Sequence, residues 1–358
     1  GVTAATPIWK AAEKLDAQDA NRRSIFTATA LANATQQGNG QISTTAVPFS
    51  WAAGGLSTGQ KNLLATTAER NANDSTTAQN RLNYLRGDRS LERTDTDTAK
   101  PFRQRASKLG DIINSDPQYV ANPDFGYTRL TGSNWADARA AYAAFRTSNA
   151  TRTPMVVVGA NDGMLHGFNA SMAEGGAGGQ ELFAFIPNGV FANLIELTSP
   201  TYSHRYYVDG TPRISDAWIG GAWKTIVAGT TGAGGRSVFA LDITTPNAVD
   251  ASKFLWEFSH PEMGNTIGQP AIVALPNGKF AVVVTTGYRE TTQSTAKIWF
   301  LDAASGNVLK TMNITTSGDL GAPLLADTNG DQIADRLYVG DTTGKLWKAD
   351  ISSATLSE

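Results

Sequence analysis

The residues with the clearest chemical potential are Asp327, Asn329, Asp331, Ile333 and Asp335. They lie in the run Asp327-Thr328-Asn329-Gly330-Asp331-Gln332-Ile333-Ala334-Asp335. Acidic or amide side chains stand at positions 1, 3, 5 and 9 of this run, with an apolar residue at 7. Ca²⁺ is a hard cation that takes about six to eight oxygen ligands, and alternate side-chain oxygens plus one main-chain carbonyl in a tight loop meet that demand. The pattern predicts a calcium loop in which Asp327, Asn329, Asp331 and Asp335 ligate through side chains and Ile333 through its C=O. It is not an EF-hand, which needs Gly at position 6 and a bidentate Glu at position 12. Here those positions hold Gln332 and Tyr338. The competing reading is a polar turn between two strands, built by Asp and Asn side chains bonding to their own backbone.

The elements that must position this loop repeat along the C-terminal two thirds of the chain. Met155-Val156-Val157-Val158-Gly159 is followed by a turn and then Met164 to Ala170. Thr225 to Gly229 precedes Val238 to Ile243, Ala281 to Gly287 precedes Ile298 to Ala303, and Arg336 to Gly340 precedes Leu346 to Ile351. Each unit is an apolar strand ending at Gly, a turn, and a strand ending in an aromatic residue, two more positions, then Asp or Asn with an apolar neighbour. The glycines Gly159, Gly229, Gly287 and Gly340 are 70, 58 and 53 residues apart. Repeats of about 40–50 residues with four strands each define propeller blades, so these blades carry insertions. The first strand of each pair is apolar on both faces, which fits a strand sandwiched between neighbouring blades. The terminal Asp or Asn is suited to fixing the turn that follows. Four repeats do not close a ring, so the expectation is a fragment whose remaining blades are missing.

Residues 1–150 read differently. Ile8 to Ala20 and Asn134 to Phe145 are expected to be helices, the second with Asn134 as N-cap and Trp135, Ala138, Tyr142 and Phe145 on one face. Arg23 to Thr29 and Gln41 to Phe49 look like two strands around a polar loop and could belong to a blade. Phe102 to Asn114 is expected to be a short helix broken at Gly110. The division is therefore 1–150, a helix-rich segment with a strand pair, and 151–358, propeller blades carrying the calcium loop. The fold class is mainly β, an incomplete β-propeller with quinoprotein-like blades and helical N-terminal segments.

Composition sets limits. The chain has 358 residues and a formal net charge of −2, with no basic stripe of the kind that binds nucleic acid. Cysteine is absent, which excludes disulfides, thiolate catalysis and Cys-ligated zinc. Glycine is abundant at 35 and charge is only 17%, a balance that suits a β protein with many turns. No run approaches the length of a membrane helix.

Several blocks resemble the PilC/PilY family of type IV pilus tip adhesins and biogenesis factors. They are Asn83 to Ser90, Phe102 to Ser115, Val158 to Phe168, Tyr207 to Pro212 and Gly234 to Thr244, in family order across nearly the whole chain. The resemblance implies a C-terminal β-propeller of a larger secreted protein, located at the bacterial cell surface or pilus tip. It implies a calcium loop of the form Asp-x-Asn-x-Asp-x-apolar-x-Asp, matched by residues 327–335. It also implies partnership with pilus subunits, including minor pilins, and with the assembly machinery. Support of pilus extension against retraction, twitching motility and attachment to surfaces or host-cell receptors would follow.

Other candidates are weaker. Arg86-Gly87-Asp88 is an integrin-type tripeptide, with a structural role as its alternative, Asp88 pairing with Arg86 or Arg89. Asp95 and Asp97 are too sparse for a second calcium loop. His166, His204 and His260 form no zinc motif, and His166 in a strand reads as a packed or hydrogen-bonded residue. No Gly-x-Ser-x-Gly elbow occurs, and the Gly229–Ser237 and Gly340–Lys345 stretches lack phosphate-loop spacing. These features argue against an enzyme. The alternative from another class is a quinoprotein-like propeller dehydrogenase, whose blades share this Gly-turn-aromatic signature.

Overall fold

The computed structural model describes residues 7–33, 40–173, 176–289, 295–315 and 318–355. Four sheets follow one another along the chain. The first is built on Gln118–Val120, Met155–Gly159, Leu165–Asn169 and Glu181–Ile186, paired in that order. The second runs through Arg213–Ile219, Ala222–Thr230, Val238–Asp242 and Phe254–Ser259. The third is Ala271–Ala274, Phe280–Thr285, Thr295–Asp302 and Val308–Thr315. The fourth, among the described residues, is Leu324–Ala326, Arg336–Gly340 and Leu346–Asp350. The first strands of successive sheets touch one another, so the sheets are arranged as propeller blades, and no sheet closes on itself. The mainly β, open propeller that the repeats predict is what forms. Each repeat supplies the second and third strands of one blade.

The sequence repeat has a structural counterpart at single-residue resolution. In the first three blades the register between third and fourth strands shifts at Gly167/Phe168, Ala240/Leu241 and Phe300/Leu301. Each irregularity falls just before the terminal Asn169, Asp242 or Asp302, where a bulge adds twist to the outer edge. Those side chains then fix the turn as expected: Asn169, Asp242, Asp302 and Asp350 each accept the N–H of the residue two positions on.

Strand alternation divides the core. Val227, Phe239 and Leu241 of the second blade face a cluster shared with the first blade, including Phe183 and Phe185. Ile226, Ala228, Val238 and Ala240 face the third blade's Val282, Val284 and Trp299. Ala281, Val283 and Phe300 turn toward Leu337 and Val339 of the fourth. The third blade's second strand is apolar on both faces because both faces are covered, and every residue of Phe280–Thr285 is buried, whereas Arg336–Gly340 of the fourth is buried only at alternate residues.

The N-terminal strands enlarge the blades. Ile25–Ala28 lies parallel to Glu181–Ile186 and pairs with Ala46–Pro48, extending the first sheet to six strands. Gln41–Ser43 extends the second sheet beyond Phe254–Ser259. Three helices, Thr58–Leu63, Thr67–Asn71 and Ser75–Arg86, lie between these strands and the first blade in sequence. Among the described residues the first helix is Ala11–Ala17, shorter than the expected Ile8 to Ala20, followed by a 3-10 turn at Ala20–Arg22.

Two local expectations change. Phe102 to Asn114 forms no helix: its polar groups are drawn elsewhere, Arg103 N–H to the Thr198 carbonyl and Gly110 N–H to Asp162. The helix Ala136–Ser148 is capped by Trp135 and not by Asn134, which sits in the preceding 3-10 turn and donates its amide to the Pro276 carbonyl. The expected face is correct, with Trp135, Ala138 and Tyr142 buried.

Candidate metal centre

The Asp327–Asp335 loop joins the first two strands of the fourth blade, Leu324–Ala326 and Arg336–Gly340. Its backbone folds around Asp327. One carboxylate oxygen accepts N–H groups of Asn329, Gly330 and Asp331, and the other accepts that of Gln332 at 2.8 Å. Burial alone would raise the Asp327 pKa; these four N–H donors outweigh it and hold the carboxyl below its ordinary value. The turn needs left-handed backbone at Gly330 (φ 85°) and at Gln332 (φ 65°). Glycine adopts this freely, while Gln332 does so at a conformational cost.

The other predicted ligands are placed as follows. Asn329 accepts from Asp331 N–H with its side-chain oxygen. Asp331 accepts from Ile333 N–H at 2.9 Å and from the Thr131 hydroxyl at 2.8 Å. Asp335 is buried and accepts from the N–H and hydroxyl of Thr328. The Ile333 side chain packs on the cluster between second and third blades. Among the described residues, no three Asp, Glu, His or Cys side chains converge closely enough to hold a metal ion as they stand. The donor chemistry nonetheless fits Ca²⁺. The loop offers only oxygens, three of its side chains are carboxylates, and a carboxylate has about four lone-pair sites to share between N–H donors and a cation.

The loop is braced from outside its own blade. The Gln332 amide, oriented by its hydrogen-bond network, donates to the Phe125 carbonyl at 2.8 Å and accepts from Arg129. Phe125 N–H donates to the Tyr142 hydroxyl, which donates to the buried Asp216 carboxylate. No spacing in the sequence pointed to these contacts.

The Arg86-Gly87-Asp88 tripeptide is dispersed by the fold. The Arg86 guanidinium donates to the main-chain carbonyls of Phe49, Ala20 and Arg23. Gly87 is the left-handed terminus of the helix Ser75–Arg86, with φ 116°. Asp88 is exposed and accepts from Ser90 N–H, so it folds its own turn and does not pair with Arg86 or Arg89.

A polar cluster that sequence reasoning missed lies inside the first blade. Arg23 grips both oxygens of Glu181, and His166 bonds Glu181 at 2.7 Å through Nδ1 and Asp162 at 3.1 Å through Nε2. Burial pulls the His166 pKa down, but Asp162 and Glu181 prevail and raise it to about 9. Glu181 is likewise pushed up by burial and pulled further down by Arg23 and His166, to about 2. These charges satisfy one another, and the arrangement is a structural lock between the N-terminal strand and the blade.

Fold and site together define an open β-propeller with an oxygen-donor loop on its fourth blade. The chain belongs to the PilY1 β-propeller family: residues 109–358 match the family model described as the PilY1 beta-propeller domain. It is similar to the type IV pilus biogenesis factor PilY1 of Pseudomonas aeruginosa strain PAK, at 39% identity over 320 residues, covering 87% of this chain and 26% of that protein. A PilY1 homolog of Xylella fastidiosa is 38% identical over 303 residues, covering 78% of this chain and 20% of that protein. The chain thus spans about a quarter of the length of the curated relatives it matches. The crystal structure of the P. aeruginosa PilY1 C-terminal domain aligns at 38% identity with a TM-score of 0.48, covering 59% of this chain and 41% of that one. No helix among the described residues is long and apolar enough to cross a membrane.

Proposed function

We propose that this chain is the calcium-binding propeller portion of a type IV pilus biogenesis factor and tip-associated adhesin. It acts at the bacterial surface, with pilus subunits, minor pilins among them, and the assembly machinery as partners. In this reading the protein supports pilus extension against retraction, twitching motility and attachment to surfaces or host-cell receptors. The observation that carries it is the Asp327–Asp335 loop, an oxygen-only donor set in a chain of this family. Asp327, Asp331 and Asp335 lie within one nine-residue loop, and drawing their carboxylates onto a single point requires a cation to offset their mutual repulsion. A bound Ca²⁺ is that cation. Loop order, and with it the surface of the fourth blade, then depends on occupancy.

Calorimetric Ca²⁺ titration of chelator-treated protein, with Asp331→Ala and Asp335→Ala beside it, tests the proposal. The expected result is one saturable site, lost in both variants. Absence of binding in the unaltered chain would reduce the loop to a turn. A cellular test follows: the Asp331→Ala variant in the full-length protein should shift the balance toward retracted pili.

A further inference from the structure

We infer that the metal site is not confined to the nine-residue loop: Thr131 and Arg129, from the segment leading into the helix Ala136–Ser148, are positioning residues for it. This rests on the calcium reading above and extends it to residues about 200 positions upstream, a separation fixed by the Thr131–Asp331 contact. The Asp331 carboxylate is pinned at both ends, one oxygen by Ile333 N–H and the other by the Thr131 hydroxyl. That leaves no free rotation about the terminal bond. Gln332, the residue holding the loop's unfavourable left-handed turn, is fixed by Phe125 and Arg129. A non-glycine residue persists in that conformation only when its surroundings over-determine it.

The bracing segment is itself built for this contact. Gly126 has φ 79°, and a Cβ there would meet the Arg129 guanidinium at 2.8 Å and Gln332 at 3.3 Å. Gly126 N–H bonds Asp124, and Asp124 also pairs with Arg146 on the helix. Arg139 of the same helix donates to the Leu130 carbonyl. The segment is anchored to the second blade through Tyr142 and Asp216, and through Trp223, whose indole N–H donates to the Ala138 carbonyl. The loop on the fourth blade is thus held against a fixed support on the second. Groups that orient metal ligands from outside typically change affinity by about 10–100-fold when removed.

The experiment compares Ca²⁺ affinity of the unaltered chain with Thr131→Val, Thr131→Ser and Arg129→Ala, and follows amide hydrogen exchange with and without Ca²⁺. Thr131 and Arg129 are both exposed, so these substitutions leave the core intact. Thr131→Val and Arg129→Ala should each weaken binding by about ten-fold or more. Thr131→Ser, which keeps the hydroxyl, should stay near the unaltered value. Ca²⁺ should slow exchange at residues 125–131 as well as 327–335, and Asp335→Ala should abolish both effects. If the unaltered chain binds Ca²⁺ but both variants bind equally well and residues 125–131 do not respond, the positioning role is overturned while the calcium site stands. If the unaltered chain binds none, both readings fall.

Discussion

Arg23 and Glu181, 158 residues apart in sequence, form a two-pronged ion pair with donor–acceptor distances of 2.6 and 2.8 Å, and both side chains are buried. The pair bolts the strand Ile25–Ala28 to the outer edge of the first blade, where the backbone pairing is parallel. Removing Arg23 leaves the buried Glu181 with His166 as its one remaining counter-charge, a loss of up to about 3–5 kcal/mol. Arg23→Met is therefore expected to lower unfolding free energy by roughly that amount in urea titrations. A loss below about 1 kcal/mol would show that water reaches Glu181 and the lock is not dry.

His166 in the same cluster sets an alkaline limit on stability. Its folded pKa of about 9 lies above the ordinary value of 6.5, so the folded state holds the proton more tightly. The resulting stabilisation is fully present below about pH 6.5 and is lost as pH rises through about 9. Glu181, near 2 in the folded state, contributes in the opposite direction: its stabilisation is present above about 4.5 and is lost as pH falls toward 2. Urea unfolding across pH 6–10 should show the alkaline decline, and His166→Gln should remove it. An unchanged slope in the variant would place the titrating group elsewhere.

Glu257 is expected to act against stability over part of the neutral range. It is fully buried on the strand Phe254–Ser259 of the second blade, which Gln41–Ser43 covers, and accepts N–H groups of Asn188 and Gly189, which follow the first blade. No cation is among the groups that set its pKa. Burial, opposed by those two N–H groups and Ser237, raises it to about 7. The folded state therefore prefers the protonated acid, and stability falls as pH rises from about 4.5 through 7, on the order of 3 kcal/mol at most. Glu257→Gln should flatten this part of the profile. A carboxyl stretch that titrates near pH 4.5 by infrared difference spectroscopy would contradict it.

The elements legible in the sequence were those whose cause is local. The second and third blade strands carry their signal in five to nine consecutive residues, and Asn169, Asp242, Asp302 and Asp350 mark the turns after them. The spacing of oxygen-bearing side chains in the Asp327–Asp335 loop is also local, contained within nine residues. First strands such as Gln118–Val120 and Leu324–Ala326 have only three residues and no period to read. The helices Thr58–Leu63 and Thr67–Asn71 do have capping boxes, Ser57 with Gln60 and Thr66 with Glu69. That signature was present, but the polar, short segments lack the apolar stripe that makes it audible. The pairing of Ile25–Ala28 with Glu181–Ile186 and the bracing of Asp331 by Thr131 are set by tertiary packing, and no local pattern encodes them.

The tripeptide Arg86-Gly87-Asp88 gives a prediction that separates fold from adhesion. Arg86 donates to three main-chain carbonyls, and its loss removes its bonds to Phe49, Ala20 and Arg23, the last of which keeps the Ile25 N–H, at a cost of about 1–3 kcal/mol. The Asp88 carboxylate bonds only its local turn at the surface, so Asp88→Ala, which keeps the main-chain bond from Arg105, should change stability by under about 1 kcal/mol. Cell-attachment assays should use Asp88→Ala for this reason. Reduced attachment with intact folding would assign Asp88 a receptor role, whereas an effect confined to Arg86→Ala would trace to the fold.

Asp327 and Asp331 should differ as probes of the metal loop, although both are expected to abolish Ca²⁺ binding. Asp327 is the centre on which the loop backbone is wound, accepting four N–H groups, two of them from the half-buried Asp331 and Gln332. Asp327→Ala leaves the half-buried Gln332 N–H without its partner and the Asp331 N–H with Asn329 alone, and should cost about 1–3 kcal/mol even without the ion. Asp331 accepts one N–H and one exposed hydroxyl, so Asp331→Ala should cost under about 1 kcal/mol in chelator. Added Ca²⁺ should stabilise the unaltered chain by mass action and leave both variants unmoved. Unfolding with chelator and with excess Ca²⁺ therefore yields two independent readings, the structural weight of each carboxylate and its part in binding. Equal stability of the two variants in chelator would mean that Asp327 does not organise the loop in solution. A Ca²⁺-dependent shift surviving in either variant would remove that residue from the ligand set.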